Sequence, residues 1–374
     1  MSKDEIQTKY SFLQAYLKNE IMMGNIKPGD RIPSENTLAQ RFSLSRQTVR
    51  KAISMLVNEG FLYTEHGKGT FCRDRSAARS NSRNIGVITT YISEYIFPRI
   101  IQGIDRVLAE NGYSIILKNT DNSIEKEALC LDDLLGKDIG GLIIEPTKSA
   151  VFSENLKFYE ALDKHNIPYV FIHGTYQKLE DKPQVVLDDE AGEYRAVDYL
   201  VKLGHKNIAG IFKADDVQGI RRHKGYAKAL ADNGITYDPE KVIWFHTEDR
   251  STKPAGAIRY LIERGVMLDS VAAYNDEVAV KVIHHLKESG IRVPQDVSVI
   301  GFDDSYLAEN GPVKLTTIGH PKEKLGEAAA ELLLELMKQN GGCPADVKKV
   351  IAPELIVRDS CMPRNTDETE MPRS

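Results

Sequence analysis

Short apolar runs alternate with longer amphipathic stretches along most of this chain, from Asn84 onwards. The run at residues 85–89 precedes a helical pattern at 99–111, and the run at 208–212 precedes a helical pattern at 219–233. This alternation is typical of α/β proteins, in which helices cover both faces of a parallel sheet. The stretch contains too many strands for one sheet, so we predict two lobes, each built on a doubly wound parallel sheet.

The ends of the predicted strands carry polar and aromatic residues. In doubly wound sheets, ligands bind beyond the carboxyl ends of the strands. Carboxylates, an amide and an arginine beside aromatic rings suit a polyhydroxylated ligand, because polar groups bind hydroxyls and rings cover the apolar face of a sugar. The candidate effector-binding residues are Tyr91, Tyr95, Phe97, Glu145, His173, Lys213, Arg222, Asn275 and Asp303. Any one of them could instead be a helix cap or a loop charge, and for Asn275 capping and binding are equally open.

The first eighty residues differ from the rest of the chain in charge. Residues 1–80 hold 13 Lys and Arg against 8 Asp and Glu, a net charge of +5, and the remainder carries −10. The net charge of the whole chain is −5, which alone argues against a nucleic-acid partner. The asymmetry indicates a basic head that meets phosphates and an acidic body that does not.

The head has the pattern of a winged helix-turn-helix. Apolar residues recur at helical spacing from Tyr10 to Ile21, and Ser34 and Ser45 are good N-caps for a second and a third helix. Two strand-like segments then flank a small, basic, glycine-rich tip at 66–69. The start of the third helix presents Arg and Gln side chains, which suits reading of the DNA major groove.

Each part of this head also has a structural alternative. Arg46 and Arg50 could belong to a solvated helix face, and the glycine-rich tip could be an ordinary hairpin turn. A P-loop is excluded, because GxxxxGK[ST] would need Gly at position 62 and Ser or Thr at 69, where the chain has Leu62 and Gly69. The combination of helix-turn-helix and basic wing favours DNA binding over these alternatives.

Several motifs in the head resemble the GntR family of DNA-binding domains. They are RIPSE at 31–35, SRQTVRKA at 45–52 and GKGTF at 67–71, and the similarity covers nearly all of residues 5–75. The resemblance implies DNA contacts from the third helix and the wing tip, and Glu35 stands at a position that often faces DNA. At that position the carboxylate would accept a hydrogen bond from a cytosine amino group or orient an arginine. Alternatively, Glu35 only stabilises the N-terminus of its helix. The candidate DNA-binding residues are Glu35, Arg46, Gln47, Thr48, Arg50, His66, Gly67, Lys68 and Gly69.

The body resembles the LacI/GalR family of regulators from about Asn84 to Ser360. The similarity is carried by YNDEVA at 274–279, GIRVPQDVSVIGFDD at 290–304 and LGEAA at 325–329. It implies a periplasmic-binding-protein-like fold, with two lobes around a cleft and a dimer interface along one side. The effector contacts implied by this family are Phe97, Arg222, Asn275 and Asp303. His173 stands where relatives often carry Asp, and the GntR-type head replaces the family's own helix-turn-helix and hinge helix.

A GntR-type head on a LacI-type body resembles the arabinose-responsive repressors that combine these two modules. Segments near the predicted cleft, at 89–98, 144–150 and 210–216, carry this similarity. It implies L-arabinose as the effector, genes for arabinose use as the targets, and release of a homodimer from double-stranded operator DNA when the sugar binds. The alternatives are another sugar, a corepressor, a sugar-binding or transport component, or a sugar-processing enzyme.

Other sequence features limit the remaining classes of function. The four cysteines are far apart, the N-terminus is charged, and no apolar run is long enough for a membrane helix. We therefore expect a cytoplasmic protein without disulfides, a metal site or membrane contact. No GxSxG, GxGxxG or HExxH pattern stands where an enzyme would need it, so we expect neither catalysis nor a cofactor.

These observations divide the chain into four parts. We predict a winged helix-turn-helix domain at 1–73, a linker at 74–83, an effector-binding and dimerisation domain at 84–361, and a disordered acidic tail at 362–374. The linker lacks large apolar residues, which is typical of a solvated hinge.

Overall fold

The computed structural model describes residues 3–93, 95–339 and 348–364, with side chains from residue 9. Most of the predicted acidic tail lies outside the described residues, as does Cys343. Cys72, Cys130 and Cys361 are free thiols. The predicted fold class is confirmed, because a winged helix-turn-helix head precedes a body of two α/β lobes.

The head consists of three helices and a β-hairpin, the wing. Its elements are α1 (Lys3–Met22), α2 (Glu35–Arg41), α3 (Arg46–Asn58), β1 (Leu62–Glu65) and β2 (Gly69–Cys72). Ser34 and Ser45 cap α2 and α3 as predicted, each by accepting a hydrogen bond from the backbone N–H three residues on. The strands are antiparallel and end with Glu65 opposite Gly69 at the tip. The buried core of the head is formed by Leu13, Leu17, Leu38, Val49 and Leu56.

The segment between head and body is folded against the body. It contains a short helix, α4 (Ser76–Ser80), and it buries the side chains of Arg75 and Arg79. Nη2 of Arg75 lies 2.6 Å from Oδ1 of Asp138, and Arg79 donates to the carbonyl of Leu135. The solvated character expected of this linker therefore does not hold for Arg75 and Arg79, because they find acceptors at and just after the end of a body helix. The domain boundaries themselves stay predictions.

The first lobe alternates strands and helices, as the sequence pattern predicted. Its elements are β3 (Asn84–Thr89), α5 (Phe97–Glu110), β4 (Ser114–Asn119), α6 (Ile124–Leu135), β5 (Gly141–Ile144), α7 (Leu156–Lys164), β6 (Tyr169–Ile172) and β7 (Gln184–Leu187). Each crossover between its parallel strands runs through a helix or a long connection, which parallel pairing requires.

The second lobe repeats this arrangement. Its elements are α8 (Asp189–Lys202), β8 (Ile208–Lys213), α9 (Val217–Asp232), β9 (Val242–Phe245), α10 (Lys253–Glu263), β10 (Ser270–Ala273), α11 (Asp276–Glu288), β11 (Ser298–Asp303), α12 (Tyr306–Asn310) and β12 (Thr316–Gly319). The strands β8, β10 and β11 are buried on both faces, as expected for a sheet between two layers of helices.

The end of the chain passes back through both lobes. It returns to the first lobe as α13 (Lys322–Lys338) and β13 (Lys348–Ile351) and reaches the second as β14 (Glu354–Ile356). The first sheet has the order β13-β7-β6-β5-β3-β4 and the second β14-β12-β11-β10-β8-β9, with β14 antiparallel to β12 and the other paired strands parallel. The chain therefore crosses between the lobes after β7, after β12 and after β13, and these three crossings form the hinge.

Candidate functional site

The first turns of α3 present an exposed polar face. Arg46, Gln47 and Arg50 lie on the surface of the head. Thr48 differs from them, because it is only 8% exposed and its hydroxyl lies 2.7 Å from the hydroxyl of Ser45 as part of the helix cap. Of the four residues predicted on this helix, three have side chains accessible to a DNA groove.

Glu35 and Arg50 form a bidentate ion pair between α2 and α3. Nε of Arg50 lies 3.2 Å from Oε1 of Glu35, and Nη2 lies 3.0 Å from Oε2. A carboxylate that engages a guanidinium in this way fixes the plane of the guanidinium and the direction of its other donors. Of the roles open to Glu35, the geometry therefore favours orientation of an arginine. Glu35 also stands in the first turn of α2.

The tip of the wing is exposed and contains two glycines with positive φ. His66, Gly67 and Lys68 are exposed, and φ is +75° at Gly67 and +124° at Gly69. Nζ of Lys68 lies 3.0 Å from a carboxylate oxygen of Glu65. An exposed pair of this kind is weak in water, so it holds the lysine only loosely.

A cavity of about 100 Å³ lies between the two lobes at the carboxyl ends of both sheets. It is smaller than the roughly 300–1,000 Å³ of sites for drug-sized ligands, so it suits a small molecule. All nine predicted effector-binding residues line it, namely Tyr91, Tyr95, Phe97, Glu145, His173, Lys213, Arg222, Asn275 and Asp303. Residues that the sequence reasoning did not single out also line it, among them Thr90, Asn122, Asp216, Gln218, Arg250, Tyr274 and Glu277.

Arg222 on α9 is 1% exposed and is held by groups from several elements. Its Nε lies 2.9 Å from Oδ1 of Asp189, and its Nη2 lies 3.4 Å from Oδ1 of Asp303. Its Nη1 donates to the carbonyl of Tyr274 at 2.5 Å, and its Cζ lies 3.6 Å from the ring centre of Phe302. Burial alone would lower the pKa of Arg222, but the two carboxylates raise it, so the guanidinium stays charged and fixed in place.

A chain of buried polar side chains runs from the first lobe to the hinge. Nδ1 of His173 lies 2.8 Å from a carboxylate oxygen of Glu145, whose other oxygen accepts from the N–H and hydroxyl of Thr90. Nε2 of His173 lies 3.1 Å from Nε2 of His320, in the crossing after β12. Burial opposes protonation of His173, but Glu145 raises its pKa overall, whereas burial and the charge of His173 hold the pKa of His320 well below its usual value. As the pH falls, His173 is therefore the member of the pair that takes up a proton first.

Tyr95 connects the two lobes directly. It follows β3 in the first lobe, with φ of +59°, and its hydroxyl lies 2.8 Å from a carboxylate oxygen of Asp303 in the second lobe. The same hydroxyl accepts from the backbone N–H of Asp276 at 3.2 Å. Burial raises the pKa of Asp276 to about 7, although Thr317 donates to its carboxylate. The Tyr95 hydroxyl is thus a direct polar contact between the two lobes.

Lys213 and Tyr91 also have partners within the cavity wall. Nζ of Lys213 lies 3.0 Å from a carboxylate oxygen of Asp216, which also accepts from the hydroxyl of Tyr274 at 2.7 Å. Arg250 hydrogen-bonds the hydroxyl of Tyr91 and lies over its ring, with Cζ 4.7 Å from the ring centre. The wall therefore offers mixed donors and acceptors rather than a surplus of one charge.

Asn275 caps a helix and lines the cavity at the same time. Its Oδ1 accepts from the N–H of Val278 at 3.0 Å, at the start of α11. Capping and ligand contact, which the sequence left equally open, are compatible in this geometry. Phe97 begins α5 and places its ring edge-on to His173, with 6.3 Å between ring centres.

Asp189, Arg250 and His320 are among the residues of the site that the sequence reasoning missed. Asp189 stands just after β7, so the strand-end rule that found the other candidates could have found it. Arg250 lies in the connection after β9, and His320 lies in a crossing between the lobes. No motif or spacing marks these two, because their roles depend on which distant segments they meet.

No group of His, Cys, Asp and Glu side chains suited to a metal ion occurs within residues 9–93, 95–339 and 348–364. In the same part of the chain, every helix is too short or too polar to span a bilayer.

Two family models match the chain. The model of the gntR family of bacterial regulatory proteins matches residues 9–72, and that of periplasmic binding protein-like domains matches residues 197–361. Together with the fold, they define the class of the protein as a transcriptional regulator with a GntR-type head and a periplasmic-binding-protein-like body.

Similar proteins give the family. The arabinose metabolism transcriptional repressor of Halalkalibacterium halodurans is 40% identical over 365 residues, which cover 95% of this chain and 97% of the relative. The repressor of the same name from Geobacillus stearothermophilus is 39% identical over 365 residues, with 96% and 99% covered. A solved LacI family regulator from Enterococcus faecium, with bound ribose, is 28% identical with a TM-score of 0.63 and covers 75% of this chain and 100% of its own. The chain belongs to the family of arabinose metabolism transcriptional repressors.

Proposed function

We propose that this protein represses genes of arabinose use in the cytoplasm by binding operator DNA as a homodimer, and that L-arabinose in the interlobe cavity releases it. The observation that carries the proposal is that all nine predicted effector-binding residues meet in one cavity, on a chain whose head exposes the polar face of α3. The name of the two repressors at 39–40% identity supports arabinose as the sugar.

In this proposal, α3 enters the major groove and the wing contacts the backbone. Arg46, Gln47 and Arg50 reach base edges or phosphates, and Glu35 sets the direction of the Arg50 guanidinium. Lys68 at the wing tip neutralises a phosphate, so affinity falls steeply with salt. A homodimer places two such heads on the half-sites of a roughly palindromic operator.

The cavity suits an uncharged sugar. Arg222 and Lys213 are each matched by carboxylates, so donors and acceptors for hydroxyl groups alternate around the wall. The rings of Tyr91 and Phe97 offer apolar faces to the carbon side of the sugar. The ribose bound to the Enterococcus faecium regulator is a sugar with the same number of carbons as arabinose, which supports a pentose here.

Release follows when the sugar favours the arrangement of lobes that fits DNA poorly. The sugar must bind that arrangement more tightly than the other, because a ligand with equal affinity for both shifts nothing. The contact of Tyr95 with Asp303 lies across the cavity and favours approach of the lobes. The proposal contains no chemical step, so incubation with the protein should return arabinose unchanged.

A gel shift on DNA from upstream of the protein's own gene tests the proposal. L-arabinose should release the protein at concentrations at which D-ribose, D-xylose and D-galactose do not. Glu145→Gln, which removes an acceptor charge from the cavity, should require much more arabinose, whereas Glu110→Gln, on the exposed surface of α5, should behave as the wild type. Release by another sugar alone would refute arabinose, and tighter binding with arabinose would indicate a corepressor.

A further inference from the structure

A second cavity, of about 520 Å³, lies where the head meets the first lobe. The end of α1 and the base of the wing form its walls on the head side, the start of the connecting segment with α4 forms another wall, and the end of α7 closes it on the body side. Beside it, Nζ of Lys164 lies 2.9 Å from the carbonyl of Met23, and Nε2 of His165 lies 2.8 Å from the carbonyl of Met22. A ligand in this cavity would therefore contact both parts of the chain.

Two buried arginines line this cavity with donors that lack acceptors. Arg75 and Arg79 are each 8% exposed. Nε and Nη2 of Arg75 lie 2.9 and 2.6 Å from Oδ1 of Asp138, but its Nη1 has no hydrogen-bond partner within the described residues. Nη2 of Arg79 lies 3.3 Å from the carbonyl of Leu135, but its Nε has none there either. Buried polar groups are nearly always hydrogen-bonded. These two nitrogens lack a partner but are covered by protein atoms, so a ligand in the cavity would reach them only after a small rotation of the two guanidinium groups.

The charges around the cavity favour an anion as its ligand. Three further cations line it, Lys27, Arg73 and Lys164. The acidic residue among its described lining is Asp74, whose carboxylate accepts from the backbone N–H of Ser76 at 2.8 Å. Burial and the neighbouring charge of Arg75 lower the pKa of Arg79 to about 10, as expected for a guanidinium with too few counter-charges. The cavity thus holds a surplus of positive charge that an anion would neutralise.

We propose that this cavity, between head and body, binds a small phosphate-bearing metabolite, as a second ligand site apart from the interlobe cavity. Guanidinium groups match phosphate oxygens with pairs of N–H donors. A volume of about 520 Å³ also leaves room for more than a bare ion, since it falls within the roughly 300–1,000 Å³ of small-molecule sites.

The geometry favours a free phosphate compound over a phosphate of the operator. The cavity is lined by Phe61 and Cys72, at the base of the wing, whereas Lys68 stands at its tip. The strands between base and tip are four residues long, which separates the two ends by roughly 10 Å at about 3.3 Å per residue. When the wing tip contacts a phosphate of the DNA, the cavity at the base of the wing is therefore too far from that phosphate to bind it.

Occupation of the cavity would change how firmly the head is held on the first lobe. Arg79 belongs to the segment between head and body, Lys27 to the head and Lys164 to the body, so a ligand that fills the cavity would lie against all three parts of the chain. A ligand that prefers one orientation of the head shifts the population toward it. We therefore expect the metabolite to alter operator affinity without competing with the sugar.

Isothermal titration calorimetry of the full chain at constant ionic strength tests this site. The probes are inorganic phosphate, then glycerol 3-phosphate against glycerol. We expect saturable binding of phosphate and glycerol 3-phosphate at one site per chain, at least tenfold weaker in Arg79→Gln. Arg259→Gln, which removes an exposed arginine of the second lobe, is the matched control and should bind as the wild type. Arg73→Gln, at an exposed position of the wall, should weaken binding severalfold and replaces Arg79→Gln if that variant does not fold.

Two outcomes would overturn the proposal. One is the absence of phosphate binding to the wild type, and the other is equal binding by all variants. If the arginines served DNA instead, Arg79→Gln would lower the slope of log K against log salt for operator binding by about 0.9, with no free phosphate bound. Arabinose binding, measured in the same samples, should be unchanged, so a failure of this site can be told apart from a failure of the proposed sugar site.

Discussion

Replacement of Arg222 by Met should destabilise the body strongly and abolish sugar binding. The substitution keeps a side chain of substantial length but leaves Asp189 and Asp303 without the guanidinium that contacts both. Removing one partner of a buried ion pair destabilises a protein by about 3–5 kcal/mol, because the remaining charge stays buried. At about 2–4 °C per kcal/mol for a unit of this size, the melting temperature should fall by roughly 6–20 °C.

The loss caused by Arg222→Met should also depend on pH. Burial raises the pKa of Asp189 to about 6 even beside the arginine, and loss of the arginine raises that pKa further. A carboxyl with a raised pKa in the folded state binds a proton on folding, so its contribution to stability falls as the pH rises from about 3.9, its unfolded value, through the folded one. The difference between wild type and variant should therefore be larger at pH 8 than at pH 5.

Thermal melts followed by circular dichroism at both pH values, with calorimetry of arabinose binding, measure these effects. The matched control is Lys224→Met on the same helix, which removes an exposed cation paired with Glu190 and should change stability by no more than about 0.5 kcal/mol. A loss no larger than that of the control, or a loss that is equal at pH 5 and pH 8, would refute the view that Arg222 compensates buried carboxylates.

Three further substitutions test the head. Arg50→Ala should abolish operator binding in a gel shift and leave arabinose affinity unchanged in calorimetry; intact DNA binding would contradict the placement of α3 in the groove. Lys68→Gln should weaken binding to all DNA sequences alike and lower the salt slope by about 0.9, whereas a sequence-dependent loss would contradict a phosphate contact. Gly69→Ala should destabilise the head by about 1–3 kcal/mol in urea unfolding because of its φ of +124°. The loss should exceed that of Gly60→Ala, since Gly60 also has a positive φ, but its value of +78° lies closer than +124° to the left-handed region that residues with a Cβ can adopt.

Much of the effector cavity could be predicted because parallel strands place their carboxyl ends at one edge of a sheet. Lys213 ends β8, Asp303 ends β11 and His173 follows β6, so a single rule located residues far apart in the chain. The caps Ser34 and Ser45 could be predicted equally well, because capping depends on the few residues that follow. Features that depend on local pattern and strand order can thus be read from the sequence.

The features that were missed depend on contacts between distant segments. His320 reaches His173, 147 residues away, only because the chain crosses back between the lobes after β12. Arg79 lies in a segment without large apolar residues, which predicted solvation, yet it is buried because the carbonyl of Leu135 at the end of α6 accepts from it. The periodicity and composition of the segments around His320 and Arg79 do not indicate that His173 and Leu135 are their partners.

The attachment of the head to one lobe indicates how sugar binding can reach the DNA. The polar contacts described from the head and the segment after it to the body involve Lys164, His165 and Asp138, all of which belong to the first lobe. The hydroxyls of Tyr95 and Tyr91, in contrast, reach across the cavity to the second lobe. A sugar that draws the lobes together therefore moves the head with the first lobe relative to the second. In the homodimer that we propose, this movement would change the spacing of the two α3 helices. Half-sites of helix-turn-helix dimers stand about 34–36 Å apart, so a shift of a few ångströms would remove one head from its groove.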